Sequence, residues 1–192
     1  MRAALWLLAV QGAIGAFDTL YYHEWRARLP ALGGARPELR LHALRALIYG
    51  VVFATLPRVE WRGAWAYALT ALLAAEIVIT LRDFVVEDRV RAPLGGVFAG
   101  ERVTHALMAI IYGAMLANLL PTLDAWRRGA TALAPQTSPV PPELLWLLTL
   151  MSAGVTLSGA RDAYAALGLP GGAWPWRTED STQRHKDTAL RI

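Results

Sequence analysis

The residues in this chain best able to do chemistry recur in pairs. Glu38 and His42 stand four apart, as do Glu101 and His105. Each set is preceded by an aspartate, Asp18 or Asp83, and followed by a tyrosine, Tyr49 or Tyr112, seven residues past its histidine. Gln11 and Glu76 lie seven residues before the two aspartates. Residues four or seven apart share one face of a helix, so each set forms a polar stripe. Carboxylate beside imidazole is the donor combination that binds metal ions, relays protons or makes buried ion pairs.

Other chemistries lack the residues they need. With no cysteine, the chain has no disulfides, thiolate nucleophiles, iron–sulfur clusters or cysteine-ligated zinc. It also has no glycine-rich phosphate loop, Gly-x-Ser-x-Gly elbow or dinucleotide fingerprint, so nucleotide chemistry and serine hydrolysis have no motif behind them. The net charge of +4 comes mainly from arginine and reads as loop orientation in a membrane rather than as a nucleic-acid surface.

The elements that must carry these stripes are apolar. The 192 residues are 55% hydrophobic and 18% charged, with a mean hydropathy of +0.33, outside the usual globular range. Five stretches are long enough to span a bilayer: Ala3 to about Trp25, Leu39 to Leu56, Ala64 to about Val86, Val103 to Leu120, and Leu144 to about Leu167. Pro30, Gly33, Gly34 and Pro37, then Pro57 and Gly63, then Pro93, Gly95, Gly96 and Gly100 punctuate the breaks. Helices are therefore the spanning elements. Trp6, Trp25, Trp61, Trp65, Trp126, Trp174 and Trp176 fall near the expected ends, where headgroups favour an amphipathic ring.

The expected fold is therefore all-α: a polytopic membrane protein of five helices in one domain, residues 1–170, with a solvated cytoplasmic tail at 171–192. Gly129 to Pro142, rich in Pro, Ala, Ser and Thr, reads as an extended connector. Eleven basic residues fall on the side of the first and third connections and the tail: Arg26, Arg28, Arg36, Arg40, Arg89, Arg91, Arg102, Arg177, Arg184, Lys186 and Arg191. Five fall on the other, Arg2, Arg58, Arg62, Arg127 and Arg128. The positive-inside rule puts the N-terminus outside and the C-terminus in the cytoplasm of a bacterial-type inner or plasma membrane. A cleaved signal peptide is disfavoured, because Ile14 stands where a small residue is required and the first stretch belongs to a repeat.

That repeat runs from about 3–57 to about 64–121, leaving helix 5 at about 143–167 outside it. Gln11 and Asp18 match Glu76 and Asp83 at an offset of 65, while Glu38, His42 and Ile48-Tyr49-Gly50 match Glu101, His105 and Ile111-Tyr112-Gly113 at 63. A two-residue change in the hairpin loop accounts for the difference. Two hairpins of like orientation imply a pseudo-twofold axis along the membrane normal. Three polar layers then follow from about 1.5 Å rise per residue. Glu24, Glu87, Glu38 and Glu101 lie at the cytoplasmic rim, Asp18, Asp83, His42 and His105 one to two turns deeper, and Gln11, Glu76, Tyr49 and Tyr112 deeper again. Ionisable groups at such depth cost about 2.5–3.5 kcal/mol each and must face partners, for which metal ions serve well.

Two Glu-x3-His pairs on alternate helices, with acids on the others, resemble the di-metal carboxylate four-helix bundles of the ferritin-like class. The resemblance covers roughly Gln11 to Tyr112 and is one of motif and order. It departs in spacing (four rather than three), in using Asp for Glu, and in lying in lipid. It implies a metal site of Asp18, Glu38, His42, Asp83, Glu87, Glu101 and His105, with Glu24 an alternative to Asp18, holding two metal ions, of iron. It also implies an oxidase, oxygenase or desaturase acting on a lipophilic substrate, served by a redox partner. Tyr49, Tyr112 and Arg45 would support the ligands from the second layer.

Two other classes stay open. His42 and His105 could ligate haem in a b-type electron carrier, although many acids surround them. The cluster could instead titrate in a metal-free proton-coupled carrier or membrane adapter. Plainer readings exist as well: Glu38 and Glu101 as first-turn acids, Asp18 and Asp83 as partners of Arg45 and Arg82, Glu76 as a partner of Gln11, and His23 and Glu24 as solvated rim residues. Gly12, Gly15 and Ala16 would allow close approach of another helix, including that of a second copy.

Overall fold

The computed structural model describes residues 1–176, so the expected tail lies from residue 177 onward outside the described residues. The chain is mostly helical. Helix α1 (Arg2–Phe17) continues unbroken into a π-helical segment, Asp18–Arg26. Then come α2 (Arg36–Thr55), strand β1 (Val59–Arg62), α3 (Ala64–Val90), α4 (Ala99–Arg127), strand β2 (Ala132–Pro135) and α5 (Pro142–Ala166). Local chemistry sets several ends. Pro37 and Pro142 occupy the opening positions of α2 and α5, where no backbone N–H is missed, and Glu38, Glu101 and Glu143 sit in first turns. The expected end of the fourth helix at Leu120 is overrun: Pro121 lies inside α4, which continues to Arg127.

Among the described residues, four helices are long and apolar enough to cross a membrane: α1 with its π-helical extension, α3, α4 and α5. The remaining helix, α2, was expected as a fifth span. It is 20 residues long, about 30 Å, but carries Glu38, Arg40 and Arg45 and falls short of the apolar content of the others.

Large apolar side chains face outward as well as inward, and many ionisable ones are buried. Leu20, Leu47, Val78, Val85, Val103, Ile110, Leu150 and Leu157 point outward, while Gln11, Asp18, Glu38, Glu76, Asp83, Glu87, Arg91, Glu101 and His105 are buried. The helices meet as α1 with α4, α2 with α3, and α5 against α2 and α1. α5 lies close to α2 because small residues face one another. Gly159 rests on Ala46 with no room for a side chain between them, and Ser152 Oγ donates to the Gly50 carbonyl at 2.8 Å.

The core divides into an apolar half and a polar half. Leu5, Leu8, Phe53, Leu69, Met115, Leu119, Leu144 and Leu148 fill the half holding the N-terminus of α1. Trp61 and Trp126, expected at the headgroups, are packed into this core, whereas Trp25, Trp146 and Trp174 are exposed.

A short antiparallel ribbon closes that end, against the expectation of helices alone. Val59–Arg62 pairs with Ala132–Pro135, so the connector expected to be merely extended supplies a strand. Buried Glu60 anchors it by accepting from the Thr137 backbone N–H at 3.0 Å, the Thr137 hydroxyl, and Arg62 Nε at 2.7 Å. Burial alone would push the Glu60 carboxyl up, but the hydrogen bonds from Thr137 and Arg62 outweigh it and hold the group below the usual carboxylate range.

Candidate metal centre

The polar half of the bundle is assembled where α1 and α3 end and α2 and α4 begin. Glu38 and Glu101, each in a first turn, are fully buried and face one another across Arg91, which follows directly on α3. Arg91 donates from Nε and Nη2 to Glu38 at 3.1 and 2.8 Å, and from Nη2 to Glu101 at 3.0 Å. The guanidinium thereby ties the two halves of the chain together at the rim.

One turn deeper lie three histidines. His42 Nε2 is 3.3 Å from Asp83 Oδ2 and 3.8 Å from Glu38 Oε1. His105 Nε2 is 3.2 Å from Asp18 Oδ2, and its Nδ1 is 3.6 Å from Glu87 Oε1. Each histidine of the Glu-x3-His pairs thus meets the aspartate of the other half. The third, His23, reaches both Asp18 and Glu101 at 3.2 Å and stacks on His42 with ring centroids 4.6 Å apart.

Deeper again, Gln11 Nε2 donates to the Tyr49 hydroxyl at 3.3 Å, and Tyr49 donates to Glu76 Oε1 at 3.2 Å. Arg45 joins this layer to the one above, with Nε 3.4 Å from Glu76 and Nη1 donating to Asp83 at 3.1 Å. Tyr112 turns away and donates to the Leu73 carbonyl at 3.0 Å.

All seven expected ligands, Asp18, Glu38, His42, Asp83, Glu87, Glu101 and His105, come together in this cluster, as do Tyr49 and Arg45. Two details differ from the sequence reading. Glu24 leaves the cluster to pair with Arg161 and accept from Trp176 Nε1 at 3.0 Å. His23, read as a solvated rim residue, is 8% exposed and central. The cause is the π-helical winding of Asp18–Arg26, which takes more residues per turn and rotates His23 inward and Glu24 out. Arg82 is exposed, so Arg45 alone of the two expected arginines pairs with Asp83.

Sequence reasoning missed His23, Arg91 and Glu60. The repeat was silent on His23, whose counterpart at offset 65 is the exposed Asp88. A charge count was the available signal for Arg91, because six buried carboxylates call for more cation than Arg45 supplies. Glu60 had no signal beyond being the lone acid of its segment.

The buried His, Asp and Glu side chains can hold metal ions. Three groups place one donor atom from each member within 4.8 Å of the others: Asp18 with His23 and His105, His23 with Glu38 and His42, and Glu87 with Glu101 and His105. Donor atoms are also left over. Asp18 Oδ1, His23 Nε2, His42 Nε2, Asp83 Oδ1, Glu87 Oε2 and Glu101 Oε2 are buried without an aligned hydrogen-bond partner among the described residues. Buried polar atoms are ordinarily satisfied, so a convergent set of orphans fits a cation. Charge points the same way: among the described residues, Asp18, Glu38, Glu76, Asp83, Glu87 and Glu101 face only two guanidiniums, those of Arg45 and Arg91.

Beside the histidines lies a cavity of about 490 Å³ between α1, α2 and α5, within the range of small-molecule sites. Gly12, Gly15, Ala16, Leu20, Phe53, Met151 and Val155 wall it, and Asp18, His23, His42 and Asp162 close its polar end. Of the small residues expected to admit another helix, Gly12 does so, pressed against Phe53 of α2 and Met151 of α5, while Gly15 and Ala16 border the open space.

No family model, curated protein or solved structure matches the chain. The class of the protein rests on its own residues, a helical bundle with a buried histidine–carboxylate cluster at one end of its core.

Proposed function

We propose that this chain is a membrane-embedded metal-dependent oxidoreductase whose substrate is lipophilic. The observation that carries this reading is the convergence of three histidines and five carboxylates, with donor atoms lacking an aligned partner, in one buried cluster whose Asp18, His23 and His42 close the polar end of an apolar-walled cavity. Four apolar helices and an outward-facing apolar surface support placement in a bilayer, and the crossed pairs His42–Asp83 and His105–Asp18 support descent from a duplicated hairpin.

Within this reading His23, His42, His105, Glu38, Glu87, Glu101 and Asp18 hold two metal ions, and Asp83 orients His42. When bound, redox-active ions such as iron supply dioxygen chemistry. The chain's own residues do the rest. The cavity walls hold the substrate's apolar body, the close-packed α2–α5 contact excludes water behind it, and Tyr49 stores a proton on its hydroxyl between Gln11 and Glu76. Arg91 balances Glu38 and Glu101 and competes with a metal ion for them.

A metal-free proton carrier is the second reading. It is favoured by the unbroken polar run Gln11–Tyr49–Glu76–Arg45–Asp83–His42, whose steps are all 3.1–3.4 Å.

Elemental analysis by plasma mass spectrometry of detergent-purified protein, beside the His42→Ala/His105→Ala variant, tests the proposal. About two metal ions per chain, lost in the variant, are expected. Lipid-dependent oxygen consumption by the loaded protein is then the expected activity. Wild-type protein without stoichiometric metal, alongside a variant that still folds, would hand the cluster to the proton-carrier reading.

A further inference from the structure

Resting on the metal-centre reading, the structure assigns two unlike metal sites to this cluster. One is a histidine-rich site of His23, Glu38 and His42 that faces the substrate cavity. The other is a carboxylate-rich site of Glu87, Glu101 and His105 set behind it.

The inequivalence arises where the internal repeat breaks. Glu38 and His42 correspond to Glu101 and His105, so each half contributes the same pair from the start of its second helix. The third donor differs. From the end of α3 it is Glu87, while from the end of α1 it is His23, brought in by the π-helical segment. The residue matching Glu87 by offset is Tyr22, which packs against Phe98 instead. Two imidazoles with one carboxylate make a softer, more nitrogen-rich donor set than one imidazole with two carboxylates. The first favours ions such as cobalt, zinc or ferrous iron, and the second tolerates harder ions such as manganese or magnesium.

Access differs as well. His23 and His42 both line the 490 Å³ cavity, whereas Glu87, Glu101 and His105 do not, and His105 borders a separate, smaller cavity of about 220 Å³ walled by Ile77, Leu81, Phe84 and Leu116. At the positions of Gly12, Gly15 and Ala16 the second half of the chain carries the larger Ile77, Thr80 and Leu81, which line its smaller cavity. Substrate therefore meets the ion at His23, Glu38 and His42. At the second site Glu87 Oε2 and Glu101 Oε2 are buried without a hydrogen-bond partner among the described residues, and at the first His23 Nε2 and His42 Nε2 lie 3.2–3.3 Å from carboxylates without an aligned hydrogen bond.

Cobalt(II) titration of the full chain in detergent, read by its visible absorption, tests the assignment, with the His42→Ala/His105→Ala variant as blank. Two equivalents binding in two phases separated by at least about tenfold in affinity are expected from the unlike donor sets. His23→Gln should lose the tighter phase and keep the weaker, and Glu87→Gln should do the reverse. Misfolding cannot produce this reciprocal pattern. Two equivalents in a single phase, one shared equivalent, or loss of both from each folded variant would overturn the inequivalence and leave the metal reading standing. No cobalt above the blank would overturn both. Should either variant fail to fold, the phases of the wild-type titration decide.

Discussion

Arg91 is 0% exposed and shares its protons between two glutamates that are equally buried. Replacing it by methionine keeps much of the volume but leaves Glu38 and Glu101 without their counter-charge. Removing one partner of a buried ion pair typically costs about 3–5 kcal/mol. Thermal unfolding of Arg91→Met in detergent should show a loss of this order, partly restored by added divalent cations, which take over the neutralisation. An unchanged melting temperature would show that the carboxylates are already protonated. Glu60 makes the opposite kind of prediction, because its folded carboxyl is held below the ordinary value. The stability it contributes is present above the unfolded value of about 4.3 and is lost as pH falls through the lower folded value. Glu60→Gln should flatten the melting-temperature curve below about pH 4.3, where the wild-type curve falls as the carboxyl takes up its proton, and leave its shape near neutral pH unchanged.

At the scale of elements, α5 tests how tightly the bundle is built. Gly159 touches Ala46, whereas Gly154, five residues earlier, faces the cavity with nothing within 4 Å of where a side chain would begin. Gly159→Leu forces α2 and α5 apart and should destabilise by about 1–3 kcal/mol, the usual cost of overpacking. Gly154→Leu fills open space and should fold within about 0.5 kcal/mol of the wild type, the range of substitutions that disturb no packing. It should nevertheless block binding of a fluorescent lipid to the purified protein. Equal destabilisation by both would mean that the cavity collapses in solution. The π-helical end of α1 is the other decisive element. An ordinary α-helix there would direct His23 away from the centre and leave the site of Glu38 and His42 with two candidate donors, not three.

For the whole molecule, an apolar exterior around a polar interior is stable only where the exterior does not meet water. The protein should stay in the membrane pellet through an alkaline carbonate wash and enter solution only with detergent. Release by carbonate would overturn the bilayer placement. The same inside-out arrangement explains what was legible early. Glu38, His42, Glu101 and His105 stood out because a charged or imidazole side chain within an apolar stretch is costly unless a partner meets it, and helical spacing then says which face it occupies.

From the sequence alone followed the helical class, the polar stripes and their shared end of the core, since these depend on composition and on spacing within single helices. The tertiary structure decided how the halves meet: which aspartate faces which histidine, the position of Arg91 between two glutamates, and the ribbon that buries Glu60. His23 belongs to this second group. A local change of winding leaves no trace in apolar periodicity, yet over a single turn it moves a side chain from the rim to the centre. α5 does as well, because its seat depends on small residues of two helices about a hundred positions apart meeting face to face, a long-range coincidence that no spacing within either helix encodes.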